Sequence, residues 1–281
     1  MFQRLSNSWE LVKASWRVLL ADKELMVFPL VAFLASIVVL ITFAVPTVLA
    51  GVLDSAVASG ELSIFSYIVA FLFYAVMYFV TIFFNSALVG AAMIRLEGGD
   101  PTVRDGFRIA FSKIGTIFGY AIIAATVGTI LRAISERSGA IGRIVVSLIG
   151  FVWNIATFLV VPVLVVENVG PLDAVKRSGR LLKETWGEQI AGNLSVGFIF
   201  GLITFLVILA GIPVVILAVM SGSVGLIVTA VVVVILLIML ISLVSSTLSG
   251  IYTAAVYRYA TTGDTGGYFD ADMVKGAFKL K

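Results

Sequence analysis

The chain has 281 residues, of which 60% are hydrophobic and only 12% are charged, and its formal net charge is +3. Because globular proteins carry about 25% charged residues, this composition excludes an ordinary soluble domain and a disordered chain. Cysteine and histidine are both absent from the sequence. Their absence excludes disulfides, thiol redox chemistry, thiolate or imidazole metal ligands, and catalysis by either residue.

Five uncharged stretches bounded by charged residues, the last of them divided in two by a turn, predict six membrane-spanning helices. A hydrocarbon core about 30 Å thick needs about 20 helical residues to cross it. Since lipid offers no water to satisfy an open strand edge, each span is expected to be helical and the fold class to be all-α. The predicted spans are Leu25–Leu53, Leu62–Ile94, Ile114–Leu131, Ile144–Val166, Ile190–Met220 and Val224–Tyr257, the last two joined by a turn at Ser221-Gly222-Ser223.

Lysine and arginine are distributed unevenly between the two sides of these spans. The N-terminal segment, the second and fourth loops and the tail hold sixteen of them, whereas the first, third and fifth loops hold three. Cytoplasmic segments of membrane proteins are enriched in these residues. We therefore expect a polytopic protein of three helical hairpins in the cell membrane, with both termini in the cytoplasm.

Three segments on the expected cytoplasmic side have apolar residues spaced three and four apart, the pattern of an amphipathic helix. They are residues 5–19, 103–114 and 172–186, and a short fourth helix is expected at Asp270–Leu280. The second is predicted to begin with Asp100 as N-cap and Pro101 in its first position. We expect these helices to lie at the membrane interface.

Two of the amphipathic helices resemble each other in sequence. Ser8 to Trp16 aligns with Ser178 to Trp186, with serine, leucine, lysine and tryptophan matched. We interpret the chain as a single membrane domain, residues 1–281, containing three similar units that each place an interfacial helix before a hairpin. These units are residues 1–94, 95–166 and 167–257, followed by a tail at 258–281.

Four short motifs carry a resemblance. They are Asn7-Ser-Trp9, Asp22-Lys-Glu-Leu25 leading into Phe28-Pro29, Val166-Glu-Asn168 before Gly170-Pro171, and Tyr257-Arg-Tyr-Ala260. Together they resemble an uncharacterised prokaryotic family of six-span integral membrane proteins, similar in layout to the membrane region of some glycerophosphodiester phosphodiesterases, although this chain contains no catalytic domain. The resemblance implies a bacterial or archaeal cytoplasmic membrane, and it implies no particular activity or functional residue.

The strongest polar side chains within the predicted spans are amides and hydroxyls, since no charged residue lies deep in a span. Proton- or ion-coupled transport usually needs such charges, so any transport is expected to be passive. An amide can hold a polar solute or hydrogen-bond one helix to another, and both interpretations stay open. The amides are Asn85, Asn154 and Asn193, and the hydroxyls are Ser242, Ser245, Ser246, Thr247 and Ser249.

The expected interfacial side chains are tryptophans and charged residues. Trp9, Trp16 and Trp186 are predicted to anchor the amphipathic helices at headgroup level, the last two in equivalent positions. The basic residues of these helices either bind anionic headgroups or merely follow the topology. Glu97 and Glu167, just past span ends near Arg95 and Lys176, are expected to be solvated.

The leading functional hypothesis is a non-enzymatic membrane protein that acts through lipid or protein contacts, as a scaffold, an assembly factor or a lipid-organising subunit. The alternative is a passive carrier or channel for a lipid-like or small neutral solute. No catalytic residue, cofactor or metal is expected, because the membrane interior lacks titratable groups. The expected partners are membrane lipids, anionic ones included, and another membrane protein or a further copy of the chain, with no nucleic acid.

Overall fold

The computed structural model of the chain is all-α. It describes the backbone of residues 2–49, 64–186, 195–270 and Val274, and the side chains of residues 9–48, 64–186, 199–270 and Val274. The helices are α1 (Phe2–Ala21), α2 (Val27–Leu49), α3 (Ile64–Leu96), α4 (Val103–Ser112), α5 (Ile114–Arg137), α6 (Ala140–Ala156), α7 (Val160–Val166), α8 (Pro171–Trp186), α9 (Ser195–Met220) and α10 (Val224–Thr262). A 3-10 turn, Lys23–Met26, connects α1 to α2. No strand occurs among the described residues, which confirms the predicted fold class at that level.

Six helical stretches within the described residues are long and apolar enough to cross a membrane, so the chain is a multi-pass membrane protein. They are Lys23–Val48, Ile64–Leu96, Ile114–Arg137, Ala140–Val166, Ile199–Met220 and Val224–Thr262. Each overlaps one of the six spans predicted from the uncharged stretches. The agreement follows from the physics of lipid, which accepts only long apolar segments that satisfy their own backbone hydrogen bonds.

The fourth span is broken between α6 and α7. Pro162 lies in the first turn of α7, where its missing N–H costs nothing. In a continuous helix its ring would collide with the carbonyl of Phe158, so α6 ends before that residue. The backbone N–H of Leu159 instead donates to the hydroxyl of Ser178 at 3.0 Å.

Helix α4 begins two residues later than the sequence predicts. Its N-cap is Thr102, whose hydroxyl accepts from the Asp105 N–H at 3.2 Å while the Asp105 carboxylate accepts from the Thr102 N–H at 3.1 Å. The Thr102 hydroxyl also donates to the Asp105 carboxylate at 2.7 Å, and this hydrogen bond, together with the one from the Thr102 N–H, holds the pKa of Asp105 below its ordinary value. The prediction of Asp100 as N-cap was wrong, because a reciprocal capping box satisfies two backbone donors and Asp100 pairs with Arg95 instead.

The chain divides into two compact units. The first contains Met1–Met26, Ala92–Asp100 and Trp186–Lys281, and the second contains Val27–Ala91 and Pro101–Thr185. In the first unit, α1 packs against α9 and α10, which also pack against each other. The helices that pack against α1 in this unit therefore come from the opposite end of the sequence. The turn between α9 and α10 lies at Ser221-Gly222-Ser223, as predicted.

In the second unit, the apolar face of α4 packs against α2 and α3. A Cβ on Gly106 would lie 2.4 Å from Phe28 Cζ and 2.7 Å from the carbonyl oxygen of Ala87, so only glycine fits at this close approach. The Phe107 ring packs edge-on against the Phe28 ring, with 5.4 Å between their centroids. The opposite face of α4 exposes charged side chains such as Arg108. The side of α4 that carries Gly106 and Ala110 is thus buried against protein, whereas Phe111 of the same helix is exposed.

Candidate functional site

Helix α1 has one buried face and one exposed face. Its buried residues are Leu11, Val12, Ala14, Ser15, Val18 and Leu19. Trp9 and Trp16 are 48% and 43% exposed, and they share a helix face with exposed Lys13 and Leu20. Spacings of three and four residues place these side chains in one stripe. Indoles beside a cation suit the boundary between headgroups and acyl chains.

An ion-pair cluster joins the end of α3 to the end of α1. The Arg95 guanidinium donates to both carboxylate oxygens of Asp22, one of them at 2.6 Å, and also to Asp100. Asp22 is only 7% exposed. A bidentate pair of this kind is strong and geometrically specific, and removing one partner of a buried pair is destabilising because a charge is left uncompensated. The ion pair with Arg95 therefore gives Asp22, the first residue of the motif Asp22-Lys-Glu-Leu25, a role in stabilising the fold.

A second cluster lies at the end of α10. Arg258 donates to the Asp264 carboxylate at 2.6 Å, and its guanidinium is 3.9 Å from exposed Glu97. The hydrogen bond from Arg258 holds the pKa of Asp264 below its ordinary value. Glu97 is largely solvated, as predicted, and the basic side chain with which it pairs is that of Arg258. The motif around Arg258 thus fastens the segment that follows α10.

The segment after α10 is held close to the end of α3 and to α1. Gly266 has a φ of +71°, and a Cβ there would lie 2.2 Å from the Leu96 carbonyl oxygen. Both the left-handed backbone and the close approach require glycine. Arg17 of α1 donates to the carbonyl of Tyr268 at 3.1 Å. Three segments that are far apart in sequence therefore contact one another in the first unit: α1, the end of α3 and the segment after α10.

The motif Val166-Glu-Asn168 belongs to a similar cluster in the second unit. The Arg177 guanidinium donates to Glu167 at 3.1 Å and 3.2 Å. Lys113 donates to the Asn168 side chain and, at 3.3 Å, to the Glu167 carbonyl. The prediction that Glu167 is a solvated charge was wrong. Its carboxylate is largely buried against Arg177, while Lys176 pairs with Asp173 at 3.3 Å.

Trp186 lies in different surroundings from the other two predicted anchors. It is 5% exposed, and its indole N–H donates to the carbonyl of Val274 at 3.3 Å. Its ring centroid is 6.0 Å from that of Tyr259. The indole is therefore packed within the first unit, whereas Trp9 and Trp16 are open to their surroundings.

The three predicted amides are not brought together by any described contact. Asn85 is half-buried in α3, and Asn154 is exposed on α6. Neither side chain has a hydrogen-bond partner among the described residues. Asn193 lies outside the described residues, as do the first loop and most of the predicted helix at Asp270–Leu280. Their roles in binding or helix association stay predictions.

The predicted hydroxyl cluster lines a groove in the first unit, between α9 and α10. The groove has a volume of about 520 Å³ and places hydroxyls opposite aromatic and aliphatic side chains. Its lining residues are Phe200, Gly201, Thr204, Phe205, Ile208, Ser242, Ser245 and Ser246. Thr204 returns its hydroxyl to the Phe200 carbonyl at 2.8 Å. Thr247, which belongs to the same sequence cluster, is buried and bonds to the Leu243 carbonyl.

The contacts of Arg95 with Asp22 and of Arg258 with Glu97 were missed in the sequence because the partners are distant along the chain. Arg95 and Asp22 are 73 positions apart, and Arg17 and Tyr268 are 251 apart. The one sequence feature that could have indicated these contacts is the position of each arginine directly after an uncharged stretch. No group of three or more acidic, histidine or cysteine side chains that could hold a metal occurs among the described residues.

Comparison with protein families gives one match. A model described as "Family of unknown function (DUF6159)" matches residues 64–268, which is more than half of the chain. None of the curated proteins compared with the chain matches it. None of the solved structures compared with it matches either. The functional argument therefore depends on the residues of this chain.

Proposed function

We propose a function for this chain, which belongs to the DUF6159 family of unknown function. In this proposal it is a non-enzymatic membrane protein that organises lipids at the cytoplasmic face. In this proposal the six spans form three hairpins, α1, α4 and α8 are interfacial helices, and both termini are cytoplasmic. The charge bias between alternate loops supports this orientation. A prokaryotic cell membrane, with a layout like the membrane region of some glycerophosphodiester phosphodiesterases, follows from the sequence resemblance.

The exposed stripe of α1, formed by Trp9, Lys13, Trp16 and Leu20, is the observation that carries the proposal. The opposite face of α1 is packed against α9 and α10, so the stripe is fixed in direction. Large exposed apolar surfaces mark contact with a protein or a membrane. Here the indoles suit the headgroup boundary, and each lysine or arginine near an anionic surface contributes about 1 kcal/mol.

Quenching of tryptophan fluorescence by brominated lipids tests the lipid contact. Variants that retain only Trp9, only Trp16 or only Trp186, with phenylalanine at the other tryptophan positions, are reconstituted in bilayers. Lipids brominated near the headgroup end of the acyl chain should quench Trp9 and Trp16 strongly, and buried Trp186 weakly. Equal quenching of all three, or water-like emission from Trp9 and Trp16, would contradict the proposal.

The effect of lipid charge tests the organising role. Bilayers containing mixed zwitterionic and anionic lipids allow the lipids retained by the purified protein to be identified by mass spectrometry. The unmodified chain should retain anionic lipids preferentially, Lys13→Gln should retain less, and Lys13→Arg should match the unmodified chain. Retention that reflects the bulk lipid composition in all three proteins would leave α1 as an anchor without an organising role.

The groove between α9 and α10 supports a second candidate, a passive carrier for a lipid-like solute. Hydroxyls of Ser242, Ser245 and Ser246 can hydrogen-bond a polar group while Phe200 and Phe205 contact an apolar chain. Since no titratable side chain lines the groove, transfer should be independent of pH gradient and membrane potential. Movement of a fluorescent lipid between liposome leaflets tests it, with the Ser242, Ser245 and Ser246 hydroxyls replaced together by alanine. A rate equal to that of empty liposomes would exclude this candidate.

A further inference from the structure

Asn154 is an amide in an unusual place for a membrane helix. It lies near the middle of the apolar stretch Ala140–Val166, about 20 Å from either end at about 1.5 Å per residue. Its side chain is exposed, and it has no hydrogen-bond partner among the described residues. At this depth the surroundings are hydrocarbon, which offers neither a donor nor an acceptor.

An unsatisfied amide in hydrocarbon is unfavourable, and helices in membranes satisfy such groups by hydrogen-bonding to a neighbouring helix. Within the chain, α6 packs against α5 along the edge that carries buried Val146 and Gly150, which approaches Leu131. Asn154 lies one turn beyond Gly150, beside this contact, and its side chain is nevertheless exposed. We propose that a second copy of the chain covers Asn154, with α6 pairing in parallel with α6 of that copy.

Symmetry and chemistry both favour a second copy as the occupant. All copies insert in the same orientation, so the twofold axis of a dimer lies along the membrane normal and brings identical residues to the same depth. An amide carries both a donor and an acceptor. Two Asn154 side chains facing each other can therefore exchange two hydrogen bonds, whereas an unrelated helix would need a polar residue at that depth by chance.

The pattern around Asn154 fits a pairing seam. Most positions of α6 are exposed, and the exposed residues in the same row as Asn154 recur at spacings of four and three, which is the period of the contact positions in a two-stranded coiled coil. They are Ala140, Ile144, Ser147, Phe151 and Asn154. A single asparagine at such a position sets the register of the pair. The dimer interface assigned to this seam goes beyond the lipid contacts proposed for α1.

Cysteine crosslinking tests the seam directly, since the chain contains no cysteine of its own. Ile144→Cys and Phe151→Cys in reconstituted bilayers should form disulfide-linked dimers when oxidised with copper phenanthroline. Val145→Cys and Val152→Cys are matched controls, because both positions are exposed but lie about 100° further around the helix; these should stay largely monomeric. Equal crosslinking at all four positions, or none at the seam, would overturn the proposal.

Dimer affinity tests the role of the amide. Energy transfer between donor- and acceptor-labelled copies is followed as the protein is diluted with lipid. Asn154→Leu should weaken dimerisation about 5- to 30-fold, whereas Asn154→Gln should preserve much of it. Asn85→Leu, a matched loss of an amide from another span, should have no effect. An unmodified chain that is monomeric at every dilution, or an Asn154→Leu variant with unchanged affinity, would contradict the proposal.

Discussion

Helices α1 and α8 share a sequence pattern and differ in what surrounds them. In both, the matched leucines are buried and the matched lysines are exposed; these are Leu11 with Leu181 and Lys13 with Lys183. The helices diverge one position later, where Ala14 is buried and its counterpart Glu184 is exposed. The matched tryptophans differ most, since Trp16 is largely exposed and Trp186 is not.

This difference shows what a sequence match between amphipathic helices can predict. Apolar residues at helical spacing define which side of the helix is covered, and that much is common to α1 and α8. A large indole near the edge of that side is covered only if another segment supplies the contact. For Trp186 the contact comes from Tyr259 and from the Val274 carbonyl. Trp16 remains open for lipid.

The largest expected effect separates the two tryptophans. Trp186→Ala removes a buried aromatic side chain and should lower the free energy of unfolding by about 3–5 kcal/mol, as for large-to-small core substitutions. Trp16→Ala removes an exposed side chain and should change it by less than about 1 kcal/mol in detergent. Unfolding in mixed micelles with increasing dodecyl sulfate measures both.

Two further measurements sharpen the tryptophan comparison. Trp186→Phe keeps most of the apolar contact and loses only the hydrogen bond to Val274, so it should be destabilised less than Trp186→Ala. Under the proposed lipid contact of Trp16, the cost of Trp16→Ala should be larger in bilayers than in detergent. Similar losses for Trp16→Ala and Trp186→Ala would mean that the matched helices are equivalent in environment as well as in sequence.

The next effect concerns one buried serine in each helix. Ser178→Ala removes the acceptor for the buried Leu159 N–H, which the break before α7 has left without a helical partner. An unsatisfied buried donor costs about 1–3 kcal/mol. Ser15 only returns its hydroxyl to the Leu11 carbonyl one turn earlier at 3.0 Å, so Ser15→Ala should be nearly neutral. Unfolding in the same micelles measures the difference, and a neutral Ser178→Ala would mean that Leu159 finds another acceptor.

The spans and their turns were predictable from the sequence for a physical reason. Lipid requires about 20 apolar residues in a helix, and this requirement is local, so the uncharged stretches locate all six spans. The start of α4 was predicted at Asp100 because aspartate before proline is a common helix start. Thr102 replaces it since Asp105 can complete a capping box only with that residue.

The candidate sites were predictable only in part. The exposed tryptophans of α1 and the serines of the groove were identified by residue type, because indoles and hydroxyls are unusual in apolar surroundings. The contacts of Arg95 with Asp22 and of Arg258 with Glu97 join distant segments, which no local pattern shows. Likewise, the position of Asn154 in the fourth span is visible in the sequence, but its exposure depends on which side of α6 meets α5.

The smallest expected effect compares an ion pair of each helix. In α8, Arg177 and Glu167 are partly buried, and the pair joins the helix to the residue after α7. In α1, Lys13 and Glu10 are exposed and lie on the same turn.

Exposed pairs contribute about 0.2–1 kcal/mol and are weakened by salt, so Lys13→Gln should lie at the low end of that range and lose its effect at high salt. Arg177→Gln should cost more, because it removes one charge of a partly buried pair, and the cost should persist in salt. Micelle unfolding at low and high ionic strength measures both variants. Equal, salt-sensitive costs would show that the Arg177–Glu167 pair contributes no more than an exposed pair does, and the contrast between the two helices would then be confined to their tryptophans and serines.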